Sequence, residues 1–177
     1  MSIRFSSVLV AALLLPACQQ SPEEAPSGGG KTEFLGLGIA YAFEPPLDNI
    51  RCSGQMKPEQ FDQLKACGIE RVICLRDAKE KGTGWEEERA KAAGIEFIRM
   101  PISGKTGITP ENAAKLSEQL DPAVSTLVAC GSSNRVGALF ALRAQKGGAT
   151  PEAALELGRK CGLTKLEPVV KQALGMQ

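Results

Sequence analysis

The chain has 177 residues, 43% of them hydrophobic, and a formal net charge of +1. This length and composition fit a single globular domain with a tail, and the near-neutral charge gives no reason to expect a nucleic acid as partner. The sequence contains no histidine, which excludes a Cys–His catalytic pair and a His-ligated metal centre. No cysteines have the spacing of metal ligands, so we expect neither a metal nor another cofactor.

The N-terminal residues have the pattern of an export signal. A positive charge at Arg4 precedes an apolar stretch, residues 8–15, which is too short to span a bilayer as a helix. Residues 15–18 (LPAC) resemble the lipobox of bacterial lipoproteins. The resemblance implies a signal peptide over 1–17, cleavage before Cys18, lipidation of that cysteine, and a membrane-anchored protein that faces the periplasm in a bacterial cell envelope. An ordinary secretory signal is the alternative.

The segment after this signal divides into a tether and a domain. Residues 18–31 are rich in Ser, Pro, Glu and Gly, a composition that cannot bury a core, and we predict a flexible tether there. Residues 32–177 form the predicted domain. At its start, the apolar segment 34–41 is interrupted by glycines and predicts an irregular or edge strand.

From residue 50 onward, short strands alternate with helices. β-Branched apolar runs indicate buried strands, while an early Pro and a terminal Gly mark several of the helices. The predicted strands are 50–54, 69–75, 95–102 and 127–130, and the predicted helices are 58–67, 85–93, 110–120, 135–146, 151–161 and 167–174. The alternation predicts an α/β fold with a mostly parallel central sheet flanked by helices.

The joint between the last predicted strand and the following helix carries the most chemistry. Cys130 closes the strand and Arg135 begins the helix. Between them lie Gly131, Ser132, Ser133 and Asn134. Such a loop directs backbone N–H groups and the positive end of a helix toward one point, which suits an anion. We expect a thiol there to be partly ionised, and the arginine to offer a planar fork to an oxyanion. A buried structural cysteine at an ordinary joint is the alternative.

Two further loops are expected at the same edge of the sheet. Ligands of parallel sheets bind beyond the carboxyl ends of the strands, where one loop begins at Arg76 and Asp77 and another spans 103–107. We expect the site to be shared among these loops and the Cys130 loop. Arg76 and Asp77 are the charged residues at the start of the first of these loops.

Three segments match a known family in order and spacing: residues 72–77 (VICLRD), 93–102 (AGIEFIRMPI) and 127–137 (LVACGSSNRVG). They resemble the bacterial branch of the dual-specificity, protein-tyrosine-phosphatase-like fold, and more narrowly the phosphatase-like domain of beta-lactamase-hydrolase-like proteins. The resemblance implies a phosphatase whose nucleophile is Cys130 and whose Arg135 holds the phosphoryl oxygens of a phosphorylated substrate, such as a protein phosphotyrosine or phosphoserine. It also implies that Arg76 supports the anion loop or meets substrate; a simple salt bridge with a nearby carboxylate such as Asp77 is the alternative for Arg76.

The anion loop departs from the usual pattern of that family. Four residues separate Cys130 from Arg135, one fewer than the family usually has. Ala129 stands where a histidine usually precedes the cysteine, and Val136 stands where a Ser or Thr usually assists the leaving thiolate.

A further departure concerns the general acid, and it keeps other chemistries open. The family commonly places an Asp in the loop that corresponds to 103–109, which has none here. Either the phosphatase is slow, or Asp77 or Glu111 replaces the missing acid, or the reaction is a different one. Rhodanese-like sulfurtransferases share the four-residue spacing, and transfer from a sulfane-sulfur donor through a persulfide on Cys130 needs no acid. A catalytically degenerate, anion-binding lipoprotein is the remaining alternative.

The cysteine count adds one expectation. Apart from Cys18, five cysteines would lie in an oxidising compartment, and an odd number leaves at least one of them free. We expect the free one to be Cys130. The other four allow three pairings, among which the sequence does not choose: Cys52, Cys67, Cys74 and Cys161.

Overall fold

The computed structural model of the protein describes residues 31–176, with side chains from residue 34 onward. The predicted signal peptide (1–17), the lipidation site Cys18 and almost all of the predicted tether (18–31) lie outside the described residues. Within the described range, no helix is both long enough and apolar enough to cross a membrane.

The described residues form four strands and seven helices in alternating order. The strands are β1 (Ile50–Ser53), β2 (Arg71–Cys74), β3 (Glu96–Arg99) and β4 (Thr126–Ala129). The helices are α1 (Lys31–Gly36), α2 (Pro58–Phe61), α3 (Glu86–Ala93), α4 (Pro110–Gln119), α5 (Asn134–Lys146), α6 (Pro151–Lys160) and α7 (Glu167–Ala173).

The four strands form one sheet in the order β1-β4-β2-β3, and every neighbouring pair is parallel. Val128 of β4 lies opposite Cys52 of β1 on one side and Ile73 of β2 on the other. This confirms the predicted α/β fold with a parallel sheet and flanking helices. Because all strands point the same way, the loops after β1, β2, β3 and β4 meet at one edge of the sheet.

Alternation along the strands divides the interior into two cores. The first core lies on the face that carries Ile73 and Val128, and it includes buried residues of α4, α5, α6 and α7. The second core lies on the face that carries Val72 and Leu127, where α2 and α3 pack. Since side chains alternate between the faces of a strand, neighbouring positions on β2 and β4 belong to different cores.

The prediction of a strand over 34–41 is wrong. The chain forms the short helix α1 and then turns, with Phe34 fully buried in the second core. The left-handed backbone at Gly38 (φ 63°) and Tyr41 (φ 57°) interrupts any extended run. The helix predicted over 58–67 is also shorter than expected, because α2 ends at Phe61 and the chain continues in turns.

Candidate active site

Cys130 lies where β4 leaves the sheet. Its amide donates to the carbonyl of Ser53 at the end of β1 (3.1 Å), and its side chain belongs to the first core. The residue is 1% exposed, whereas the next residue, Gly131, is exposed. The thiol therefore lies at the base of the loop that the sequence singled out, residues 130–135, called the anion loop from here on.

The backbone of the anion loop presents unused donors. No described residue accepts a hydrogen bond from the N–H groups of Gly131, Ser132, Asn134 or Arg135. Ser133 adopts a left-handed conformation (φ 57°) as the N-cap of α5, which turns the chain into the helix. Adjacent unused N–H groups at a helix N-terminus form a concave anion-binding surface.

Two side chains of the anion loop point away from this surface. Ser133 Oγ donates to the carbonyl of Cys161 (2.8 Å), and Asn134 Oδ1 accepts from the amides of Thr164 (2.8 Å) and Leu166 (3.3 Å). The turn after α6, residues 161–166, thus holds the loop from behind. Ser133 and Asn134 contribute backbone to the concave anion-binding surface, while their side chains hold the loop in its conformation.

Arg135 joins the three loops that the sequence placed at this edge. Its Nη1 donates to the carbonyls of Leu75 (3.3 Å) and Ile102 (2.9 Å), which follow β2 and β3. Both terminal nitrogens also bond to Glu80, Nη1 to Oε1 and Nη2 to Oε2, each at 2.8 Å. The guanidinium is therefore fixed in place beside Cys130, and its pKa is raised, first by the hydrogen bond to Glu80.

Glu80 is the site residue that sequence reasoning missed. Its carboxylate bonds to Arg135 and to Arg76 Nε (3.1 Å) and accepts from the amide of Asp77 (3.0 Å). The hydrogen bond from Arg135, followed by that from Arg76, lowers the pKa of Glu80 to about 2. Glu80 is consequently ionised at neutral pH, and it positions Arg135 and Arg76 rather than donating a proton.

Arg76 is buried beside the anion loop. Its side chain is 8% exposed, its Nη2 donates to the carbonyl of Lys81 (2.8 Å), and its Nη1 is buried without a hydrogen-bond partner among the described residues. Arg76 does form a salt bridge with a nearby carboxylate, and the partner is Glu80 rather than Asp77. Because Glu80 also pairs with Arg135, it links Arg76 to the arginine of the anion loop.

The two predicted substitutes for the general acid differ in their surroundings. Asp77 is exposed, follows Arg76 directly, and accepts from the amide of Lys79 (2.8 Å). Glu111 lies in the first turn of α4, where its own backbone amide and the Thr109 hydroxyl lower its pKa. Glu111 is therefore a poor proton donor near neutral pH. Asp77 shares its loop with Glu80, which contacts Arg135.

The space beside Cys130 is small. A cavity of about 10 Å³ is lined by Cys130, Arg76, Gln55 and Glu86 among others, which is room for roughly one water molecule. Neither Arg135 nor any residue from Gly131 to Asn134 lines this cavity, so it is separate from the space in front of the unused N–H groups.

The chain shares its fold with solved protein structures. A DUF442 protein from Shewanella putrefaciens CN-32 has 18% sequence identity and a TM-score of 0.62, over 81% of this chain and 96% of that chain. The catalytic core of the PP-IP phosphatase Siw14 from S. cerevisiae has 19% identity and a TM-score of 0.59, over 76% and 83%. A cysteine-to-serine variant of TpbA from P. aeruginosa, bound to phosphotyrosine, has 16% identity and a TM-score of 0.55, over 76% and 88%.

These similarities define the class of fold. The described domain has the α/β fold of the protein-tyrosine-phosphatase-like cysteine phosphatases, as the resemblance predicted. No protein-family model matches the sequence, and no curated protein matches it either.

Proposed function

We propose that the protein is a cysteine-dependent phosphatase that acts on a phosphoester through Cys130 and Arg135. The observation that carries the proposal is the arrangement around Cys130: a thiol at the base of a loop with four unused N–H groups, next to a guanidinium fixed by Glu80. The solved structures of the same fold include phosphatases, which supports the same reaction class here.

In the proposed reaction, the Cys130 thiolate attacks phosphorus and displaces the alcohol of the substrate. The N–H groups of the loop and Arg135 stabilise the phosphoryl oxygens as charge develops on them. The product is a cysteinyl phosphate, which water then hydrolyses to phosphate and free thiolate. Of the two acids that the sequence offered, we propose Asp77 as the donor of the proton to the leaving group, because Glu111 lies at a helix N-terminus that favours its charged form.

Sulfur transfer is the second candidate, and a specific observation favours it. The loop after β3 has no carboxyl group over 103–109, and Glu80 is held ionised by two arginines. A persulfide on Cys130 needs no acid, so the absence of a carboxyl group over 103–109 is expected for sulfur transfer. An anion-binding protein without catalytic activity is the third candidate.

One assay set separates the three. The purified chain and its Cys130→Ser variant are given an aryl phosphate in one reaction and thiosulfate with cyanide in another. Hydrolysis of the aryl phosphate that is lost in the variant supports the phosphatase, whereas turnover of thiosulfate alone contradicts it. Phosphate binding without turnover of either compound identifies the non-catalytic candidate. Cys67→Ala is the matched control, since Cys67 lies in the second core.

We further propose that the protein is exported and anchored through a lipid on Cys18, and that it is close to the beta-lactamase-hydrolase-like branch of the fold. The LPAC sequence at 15–18 and the three matching segments support these two proposals. Mass analysis of the mature protein from bacterial membranes tests the first, because it would show a diacylglyceryl group on an N-terminal Cys18.

A further inference from the structure

Two thiols lie together behind the anion loop. Cys52 is on β1, and Cys161 is the C-cap of α6. Both are fully buried and belong to the first core, as does Cys130. The proposed reaction uses only Cys130, so the chemistry of the other two is unassigned.

Contacts around the pair bring their two chain segments together. Phe43 pairs with Cys52 through two backbone hydrogen bonds (2.8 and 3.0 Å). The ring of Phe43 lies 2.7 Å from the position that a Cβ on Gly162 would occupy, so the residue that pairs with Cys52 contacts the turn that begins at Cys161. Burial raises the pKa of Cys52 well above its usual value, and the nearby thiols of Cys161 and then Cys130 raise it further.

The other two cysteines lie elsewhere. Cys67 belongs to the second core, on the opposite side of the sheet. Cys74 follows Val72 on the same face of β2, and its Sγ accepts from Arg99 Nη1 at 3.7 Å. Since the sheet separates these two thiols from Cys52 and Cys161, the structure favours one of the three pairings that the sequence left open.

We propose that Cys52 and Cys161 form a disulfide when the chain folds in the presence of a low-molecular-weight disulfide such as oxidised glutathione. One thiolate attacks the oxidant, which gives a mixed disulfide and releases one glutathione thiol. The second thiolate then attacks the mixed disulfide and releases the other glutathione thiol. The cysteine pair loses two electrons and two protons, and the oxidant is reduced to two thiols. Because both side chains are fully buried in the folded domain, the bond forms during folding.

This bond would have two consequences at the site. It would tie β1 to the end of α6 directly behind Ser133, whose hydroxyl donates to the Cys161 carbonyl. It would also leave neither Cys52 nor Cys161 as a free thiol, so neither could form a disulfide with an oxidised Cys130. Cys130 would then remain the reactive thiol of that face.

Peptide mapping tests the proposal without an activity assay, so its outcome is independent of the proposed function. The five cysteines fall on separate tryptic peptides: 52–65, 66–71, 72–76, 116–135 and 161–165. The full chain is unfolded with reductant, refolded in a glutathione redox buffer, alkylated with N-ethylmaleimide and digested without reduction. We expect peptides 52–65 and 161–165 to be linked in most molecules and peptide 116–135 to carry the alkyl group. Alkylation of both 52–65 and 161–165, or a predominant link from either to 116–135, would overturn the proposal.

Thermal unfolding gives a second readout. A reductant should lower the melting temperature of the oxidised wild type and of Cys67→Ala, and should leave that of Cys161→Ala unchanged. An equal reductant-dependent shift in Cys161→Ala would contradict the proposal. If Cys161→Ala fails to fold, the peptide map of the wild type decides the question alone.

Discussion

Arg135 and Glu80 form a two-point ion pair, with Nη1–Oε1 and Nη2–Oε2 both at 2.8 Å. This geometry fixes the plane of the guanidinium as well as its position. The same guanidinium donates to carbonyls that follow β2 and β3. The pair therefore sets the direction in which Arg135 can offer its charge to a bound anion.

Replacing Glu80 by Gln should weaken the site without abolishing it. Glutamine has the size of glutamate but cannot accept from both arginine nitrogens at once, so Arg135 loses its fixed plane. We expect kcat/KM for an aryl phosphate to fall about tenfold, equivalent to about 1.4 kcal/mol. Glu88→Gln, at an exposed position of α3, is the control and should retain wild-type kinetics. Wild-type kinetics in Glu80→Gln as well would show that the ion pair has no part in the reaction.

The same carboxylate makes stability depend on pH. The pKa of Glu80 is about 2 in the folded chain and 4.5 for a free side chain, so the unfolded chain binds more protons between these values. The stabilisation is thus complete above about pH 5 and is lost as the pH falls toward 2. We expect the difference in free energy of unfolding between wild type and Glu80→Gln, measured by urea titration, to shrink over that interval. A difference that is constant from pH 7 to pH 2.5 would refute the assignment.

Gly162 is expected to be essential for the shape of the anion loop. Its backbone is left-handed (φ 97°), and a Cβ there would lie 2.5 Å from Ser133 Cβ. Gly148 has a similar backbone (φ 94°) with nothing within 4 Å of the added atom. Both Ala variants should lose about 1–2 kcal/mol through backbone strain, but only Gly162→Ala should also lose more than tenfold in kcat/KM. Equal kinetics in the two variants would show that the turn after α6 does not support the loop.

Asp77→Asn tests the proposed acid through the leaving group. An acid matters most when the departing alkoxide is a strong base. We expect kcat for phenyl phosphate to fall by about 10²-fold, and kcat for p-nitrophenyl phosphate to change far less. Glu111→Gln should change neither. If kcat falls by the same factor with both substrates, Asp77 has a role other than protonating the leaving group.

Alkylation tests whether Cys130 is the reactive thiol. Every described cysteine is buried, Cys130 included at 1% exposure, so burial alone predicts uniformly slow labelling. We expect iodoacetamide at about pH 6 to label Cys130 first, because the next residue, Gly131, is exposed and the Arg135 guanidinium lies beside the thiol. Inorganic phosphate should slow this labelling by occupying the loop. Preferential labelling of another cysteine, or no protection by phosphate, would count against the site.

The strand–loop–helix joint at 130–135 was predictable because its signals are local. A β-branched strand, a run of small residues and an apolar helix follow one another in the sequence, and the parallel sheet then brings the ends of β2, β3 and β4 to one edge. The contacts of Arg135 with Leu75 and Ile102 confirm that the three predicted loops meet.

What could not be predicted depends on distant parts of the chain. Glu80 lies 55 residues from Arg135, in a polar loop that contains other acidic and basic residues, and nothing local marks it as a partner. The side-chain directions of Ser133 and Asn134 depend on the turn after α6, some 30 residues away. The strand predicted over 34–41 was wrong because apolar residues between glycines fit a buried helical turn equally well.

Trapping the covalent intermediate tests the central claim most directly. The wild-type chain is mixed with an excess of p-nitrophenyl phosphate, quenched in acid within one turnover and digested. The account predicts one added phosphoryl group on peptide 116–135 of the wild type, absent from Cys130→Ser. The account would be contradicted if the wild-type chain hydrolyses the substrate while peptide 116–135 carries no phosphoryl group. It would also be contradicted if that peptide carries an added sulfur instead.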